Sequence, residues 1–291
     1  MSRLVRLGAV EYLNARPLVY GLDDVSSSGP DQPLRTSSEP STFRFEAPAP
    51  DDDVSLSVEF DLPSICADRL ANGEIDLGLI PTIAYLDRPG DRVVPDVAIA
   101  SDGPVASVAL FTRRPMRDVR TLALDTSSRT SVVLARVLCA RRFEISPSYV
   151  PHAPDLSAML ASCDAALLIG DPALFVDPRA FSAEKIDMGQ IWSDFTGLPF
   201  VWAFWAGRRD AADRSVVRRL QSARDEGIAA LDAIADEYCP GDPVRQIMAR
   251  QYLRENIKYD LPPRALEGLR AYYREAAALG LARGGAEIEF F

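Results

Sequence analysis

Three segments set polar side chains where an apolar run gives way to a helix. In YLNARP, Tyr12 to Pro17, an amide and a cation follow the first apolar run. Asn14 offers a donor and an acceptor at a strand's carboxyl end, where α/β folds bind ligands. Asparagine is also among the best helix caps, so the cap and the ligand contact are both open readings. Arg16 is either a carboxylate partner or a solvated surface charge. In LDTSSRTS, Leu124 to Ser131, an apolar strand runs into hydroxyl residues that open a helix. Backbone N–H groups, hydroxyls and the helix dipole converge there, which suits a carboxylate or a phosphate. One hydroxyl is enough for a cap, and this segment has several together with Arg129. The pattern specifies an anion, not a reaction. In AALLIGDPAL, Ala165 to Leu174, Gly170 permits close backbone approach to a ligand. Asp171 beside it is a helix cap by spacing, or a ligand contact.

Two further segments bear on the same chemistry. In SDGPVASV, Gly103 and Pro104 form a turn between strands, and Ser107 either points into a cleft or is packed and satisfied by backbone. Trp192, Phe195, Phe200, Trp202, Phe204 and Trp205 form either a cleft wall or core packing between lobes.

Composition narrows the function. His152 is the only histidine, which argues against a histidine-rich metal site or a Ser-His-Asp triad. Cys66, Cys139, Cys163 and Cys239 are widely spaced, without a C-x-x-C pair, and read as reduced core thiols. No metal site is expected. The net charge is -10, and Lys185 and Lys258 are the only lysines, which disfavours nucleic-acid binding. The N-terminal apolar run is too short for a signal peptide, and no window of about 18 apolar residues suggests a membrane span. A cytoplasmic protein is expected, either monomer or homodimer.

The elements that must hold these residues alternate. Strands are expected over Leu4 to Val10, Val54 to Phe60, Leu77 to Ile80, and at DVAIAS, ASVALFTR, TLALD, SYVPH and AALLIG, with helices between them. This alternation predicts α/β architecture with parallel sheets. From Arg214 onwards the pattern is helical, with Val217, Leu220, Ile228, Leu231 and Ile234 on one face. The Ser-, Pro- and Asp-rich run Asp24 to Asp53 reads as a surface insertion, partly mobile, whose FRFE alternation suggests an edge strand. Two lobes with a central cleft are expected, residues 1–103 plus 206–291 and residues 104–205. The crossings are expected around 101–107 and 199–207, and the helical tail packs on the first lobe.

Taken in order, YLNARPL, PS...ADRLANGEIDLGLIP, SDGPVASV, DTSSRTS, DAALLIGDPAL and W...TGLPFVWAFWAG resemble the chorismate dehydratase family of menaquinone biosynthesis by the futalosine route. The match covers most of Val5 to Gly207. The resemblance implies a two-lobe, periplasmic-binding-protein-like fold of type II used as a lyase. It implies conversion of chorismate, a small anionic substrate, to 3-[(1-carboxyvinyl)oxy]benzoate and water, without metal or organic cofactor. It implies a catalytic role for Asn14 and substrate contacts from Ser64, Ser107, Ser128, Arg129, Thr130, Ser131, Gly170 and Asp171. The base is then either Asp171 or the substrate's own enolpyruvyl carboxylate, placed by Asn14. The sister enzyme acting on the dehypoxanthine intermediate and a non-catalytic solute-binding protein are the alternatives; fold likeness alone does not separate them.

Overall fold

The structure, a computed structural model, describes residues 3–22, 54–285 and 287–291; the insertion read over Asp24 to Asp53, with its FRFE strand, lies outside them. In chain order the strands are β1 (Arg3–Val10), β2 (Val54–Asp61), β3 (Leu77–Pro81), β4 (Asp91–Ser101), β5 (Val108–Thr112), β6 (Thr121–Asp125), β7 (Ser148–His152), β8 (Ala165–Ile169), β9 (Glu184–Asp187) and β10 (Phe200–Arg208). They build two five-stranded sheets, ordered β2-β1-β3-β10-β4 and β7-β6-β8-β5-β9. β3, β5 and β8 are buried along their whole length, as central strands covered on both faces should be. β7 carries Pro151 at a sheet edge, where a missing N–H breaks no ladder.

The sheets are mixed, not parallel as expected. β1 runs parallel to β2 and β3, and β6 to β7 and β8. β10 is antiparallel to β3 and β4, and β5 to β8 and β9. The reversed strands are those that carry the chain between lobes: β5 follows the outward crossing and β10 the return. A helix-for-strand alternation does not reveal this, because a crossing strand has the same apolar composition as its neighbours. β10 pairs along its length in the first sheet, so the return is complete by Phe200. We propose that the second lobe spans residues 104–199, with the return earlier than residue 205.

The helices are α1 (Pro63–Ala71), α2 (Arg129–Arg141), α3 (Leu156–Ser162), α4 (Gly170–Phe175), α5 (Met188–Thr196), α6 (Arg214–Ala229), α7 (Leu231–Tyr238), α8 (Pro243–Gln251) and α9 (Pro263–Ala278). The tail presents the expected face only in part: Leu220, Leu231 and Ile234 are buried. The long helix ends at Ala229, and its buried positions are Val216, Leu220, Ala223, Arg224 and Gly227. Ile228 is exposed and Val217 only half-buried. The tail packs on the first sheet and also reaches the second lobe. Tyr272 Oη on α9 donates to the Thr130 carbonyl at 3.0 Å, and Arg141 meets Glu275 at 2.8 Å. One buried cluster therefore runs through both lobes, from Leu7 and Phe204 to Leu122 and Leu138. A smaller one, around Phe111, Met159 and Leu168, lies in the second lobe.

Two glycines set how closely the helices approach. A Cβ on Gly227 would lie 2.1 Å from the Pro17 carbonyl oxygen, and one on Gly268 would lie 2.0 Å from that of Pro199. α6 thus presses directly on the chain that follows β1. Gly227→Ala is expected to destabilise the protein by about 1–3 kcal/mol through overpacking. A urea titration would read this as a lower midpoint with an unchanged slope.

Candidate active site

A cavity of about 50 Å³ lies between the lobes. Val10, Tyr12, Asn14, Ile99 and Trp202 line it from the first lobe, and Ser107, Ser128, Ser131, Ile169 and Gly170 from the second. Ligand clefts hold roughly 300–1,000 Å³, so the lobes must part before a drug-sized molecule can enter.

Asn14 is not a helix cap. The chain leaves β1 and forms a 3-10 helix over Leu13–Val19, whose cap position is Tyr12. Its first bond runs from Ala15 N–H to the Tyr12 carbonyl at 3.0 Å. Pro17 has no N–H to return to the Leu13 carbonyl, which disfavours a regular α-helical turn here. Asn14 Oδ1 is buried and has no hydrogen-bond partner among the described residues. A buried carbonyl left unpaired costs about 1–3 kcal/mol, which a ligand donor in the cavity would recover. The Arg16 guanidinium stacks over the rings of Phe60, at 4.1 Å, and Tyr238, at 5.4 Å, and its charge partly offsets the burial that raises the Asp171 pKa, so it sits near a carboxylate without a direct ion pair among the described residues.

Opposite Asn14 stands the start of α2. Ser128 is its cap: Ser128 Oγ accepts from Ser131 N–H at 3.3 Å and lies 3.0 Å from Ser131 Oγ. The thirteen-residue helix behind them directs its positive end at the cavity. Thr130 is occupied elsewhere; its hydroxyl accepts from Ile83 N–H at 3.2 Å and lies 3.4 Å from Thr82 Oγ1. Arg129 turns outward to Asp68 at 2.6 Å. Ser64 contributes a backbone N–H to the Ser127 carbonyl at 3.0 Å, across the lobes. The structure therefore brings Asn14, Ser107, Ser128, Ser131 and Gly170 to the cavity wall. It places Ser64, Arg129, Thr130 and Asp171 beside it. Among the described residues no lysine or arginine lines this cavity. Of the aromatic series only Trp202 reaches the wall, its Nε1 donating to Ser101 Oγ at 3.1 Å; Trp192, Phe200, Phe204 and Trp205 are core, and Phe195 is exposed.

Three supporting residues escaped sequence reasoning. Asp125 closes β6, fully buried. Its Oδ1 accepts from Ser127 N–H at 2.9 Å and Ser127 Oγ at 2.6 Å, and its Oδ2 accepts from Ile169 N–H at 3.2 Å. Burial raises its pKa, partly offset by these donors. The D-T-S spacing of an Asx-turn was the available signal. Ser127 in turn receives Tyr12 Oη at 3.4 Å, and burial pushes the Tyr12 phenol up to about 12. Tyr252, in the π-helical turn Tyr252–Asn256, donates to Ser107 Oγ at 2.7 Å and lies beside Asn14. Nothing in sequence links a tail tyrosine to that serine. Asp187, the third, clamps the crossing: its carboxylate accepts from Val105 N–H at 3.0 Å, Ala106 N–H at 2.6 Å and Gln190 N–H at 3.0 Å. Under that clamp Ala106 holds φ +61°, and Ser107 N–H bonds the Val105 carbonyl at 2.7 Å. This is a γ-turn, a strained geometry that presents Ser107 to the cavity.

Two lobes crossed twice by the chain, with helix ends and strand ends converging on a cleft, define a periplasmic-binding-protein-like fold. The SsuA alkanesulfonate-binding protein of Xanthomonas axonopodis pv. citri, bound to MOPS, superposes with a TM-score of 0.63 at 15% identity, covering 97% of this chain and 94% of its own. The CA3427 gene product of Candida albicans, which exhibits the generic periplasmic binding protein fold, gives 0.61 at 12% identity, covering 97% and 92%. Within this fold the chain belongs to the menaquinone biosynthesis family, whose model matches residues 5–278. It is 31% identical over 229 residues to the chorismate dehydratase of Thermus thermophilus, spanning 73% of this chain and 82% of that enzyme. Among the described residues no helix is long and apolar enough to cross a membrane.

The Asp187 clamp can be tested apart from any ligand. Asp187→Ala removes a cap for α5 and two bonds that hold the γ-turn, and is expected to cost about 2 kcal/mol. Ala106→Gly accepts the positive φ without a Cβ and is expected to be no less stable than the parent. Thermal unfolding of both variants checks the pair.

Proposed function

We infer that this protein is a lyase that dehydrates chorismate to 3-[(1-carboxyvinyl)oxy]benzoate, an early step of menaquinone biosynthesis in the cytoplasm. The reading is carried by the 31% identity to a chorismate dehydratase. The cavity supports it, with an unpaired Asn14 Oδ1 and a helix start in the same wall around an apolar gap.

The reaction removes the ring hydroxyl and the proton on the neighbouring ether-bearing carbon. The C–H electrons become ring π-electrons, the C–O electrons leave with the hydroxyl, and that hydroxyl departs as water. Aromatisation supplies the driving force. The overall change is redox-neutral, so no electron acceptor is needed. The protein has to hold a dianion in one pose, keep water out and manage one proton.

Ser128, Ser131 and the first amides of α2 are neutral donors suited to one carboxylate. Asn14 positions the enolpyruvyl carboxylate for attack on the ring proton, its Oδ1 free to accept from the substrate hydroxyl. A carboxylate that works as a base must stay basic. A guanidinium beside it would lower its pKa by roughly 1–3 units. A wall of neutral donors and apolar side chains leaves that basicity intact. Burial raises the Asp171 pKa, but Asp171 is the less well placed base, since both its oxygens already accept hydrogen bonds and it lies outside the cavity wall. Closing the lobes excludes water and fixes the reacting atoms.

The test is incubation of the purified protein with chorismate and chromatographic detection of the substituted benzoate. Binding without turnover would instead favour a solute-binding protein. Asn14→Ala is expected to lower kcat by at least about 100-fold while chorismate still binds. Full activity in that variant would remove Asn14 from the mechanism.

A further inference from the structure

We propose that Asp171 is a positioning residue that completes, from the opposite lobe, the helix carrying Asn14, so that closure itself assembles the reactive geometry. The proposal rests on the dehydratase reading for its effect on rate, but not for the contact.

The 3-10 helix Leu13–Val19 begins without a cap of its own. Tyr12 occupies the cap position with extended backbone, φ -72° and ψ 156°, and its side chain makes no capping bond. The first amides of such a helix have no partner within it and must find one elsewhere. Leu13 N–H finds Asp171 Oδ1 at 3.2 Å. The acceptor lies 158 residues away, at the start of α4, on the far side of the cleft. A cap normally comes from the same chain turn. Here the second lobe supplies it, and only when the lobes meet.

The contact is built from both sides. Asp171 is presented by Gly170, whose φ of +67° points the strand end towards the first lobe. The space a Gly170 Cβ would fill is taken by the Tyr12 ring, with carbons at 2.6–2.8 Å. The second Asp171 oxygen accepts the hydroxyl of Tyr238 from α7, which also lies 3.1 Å from the Glu11 carbonyl. One carboxylate therefore ties together the second lobe, the residue before Asn14 and the tail. Taking it out of water costs free energy that its two donors must repay. In an open molecule water would solvate both Asp171 and Leu13 N–H. Asn14 is the next residue after Leu13, so a helix start left uncapped shifts Asn14 directly. Misplacement by about 1 Å costs on the order of 100-fold in rate.

The comparison of D171N with D171A separates positioning from proton transfer. In D171N the amide oxygen can still accept from Leu13 N–H. Its nitrogen can donate to Tyr238 Oη, whose own proton can turn to the Glu11 carbonyl. D171N is expected to keep kcat within about 5-fold of the parent. D171A is expected to lose about 100-fold in kcat, with chorismate affinity changed far less. In the N14A background, D171A is expected to add no further loss, since the group it positions is already gone. D171N as inactive as D171A would overturn the proposal, because the carboxylate would then be needed for proton transfer. Hydrogen exchange at Leu13 reads the contact without any turnover. It is expected to quicken in D171A and not in D171N, and unchanged exchange in D171A would overturn the latch. If the parent protein does not turn over chorismate, the exchange result still decides the latch, and only the functional reading fails.

Discussion

The Tyr12 ring lies where Gly170 has no side chain, and the site is organised around that contact. Tyr12 follows β1 by two residues, and Gly170 follows β8 by one, so the ends of two central strands from different sheets meet face to face. The neighbours of each residue are then forced into register. Leu13 reaches Asp171, Tyr12 Oη reaches Ser127, and Asn14 faces the start of α2. A side chain at residue 170 would strike the ring and also strain the backbone at a positive φ. The tail helices hold the arrangement from behind, through Tyr252 to Ser107, Tyr272 to Thr130 and Tyr238 to Asp171.

The electrostatics of this cleft are unusual for an anion site. The protein carries a net charge of -10, and Arg129, the cation nearest the motif, pairs outward with Asp68. The overall field does not steer an anion inwards. On the proposed reading, recognition falls to hydroxyls, an amide and a helix end, groups that can bind a carboxylate without neutralising it. That suits a reaction in which the substrate's own carboxylate removes a proton. It also gives the apolar wall of Val10, Ile99 and Trp202 a purpose, because low polarity raises the basicity of a carboxylate held only by neutral donors.

Much of this was legible in the sequence. β1, β6 and β8 announce themselves as apolar runs ending at polar residues, and those ends are where the cavity lies. Asn14, Ser107, Ser128, Ser131 and Gly170 sit at such ends or just past the crossing, and all five reach the wall. The errors have physical causes. Thr130 and Arg129 belong to the right motif, but a helix turns its residues through 100° each, and only some face the cleft. Ser128 is the cap and Ser131 lies on its side; Thr130 packs against Thr82 and Ile83. Asp171 reads as a local cap by spacing or as a ligand contact, and neither reading finds its partner, because spacing reveals sequence neighbours only and Leu13 lies in the other lobe. The antiparallel β5 and β10 were hidden because direction in a sheet is set by where the chain has come from. Short β9, half-buried beyond Glu184, lacks the apolar run that marks the other strands of its sheet. In the tail Leu220, Leu231 and Ile234 are buried as expected, while Val217 and Ile228 each lie one residue past the buried Val216 and Gly227.

The central claim is that a dianion is held between two jaws by neutral donors, with Asn14 on one and α2 on the other. A crystal structure of the Asn14→Ala variant soaked with chorismate tests it most directly. The expected result is one carboxylate within hydrogen-bond distance of Ser128 and Ser131, the other carboxylate facing the emptied position of residue 14, and no arginine in contact. A ligand bound against Arg129, or held by Asp171 with residue 14 remote from it, would contradict the claim.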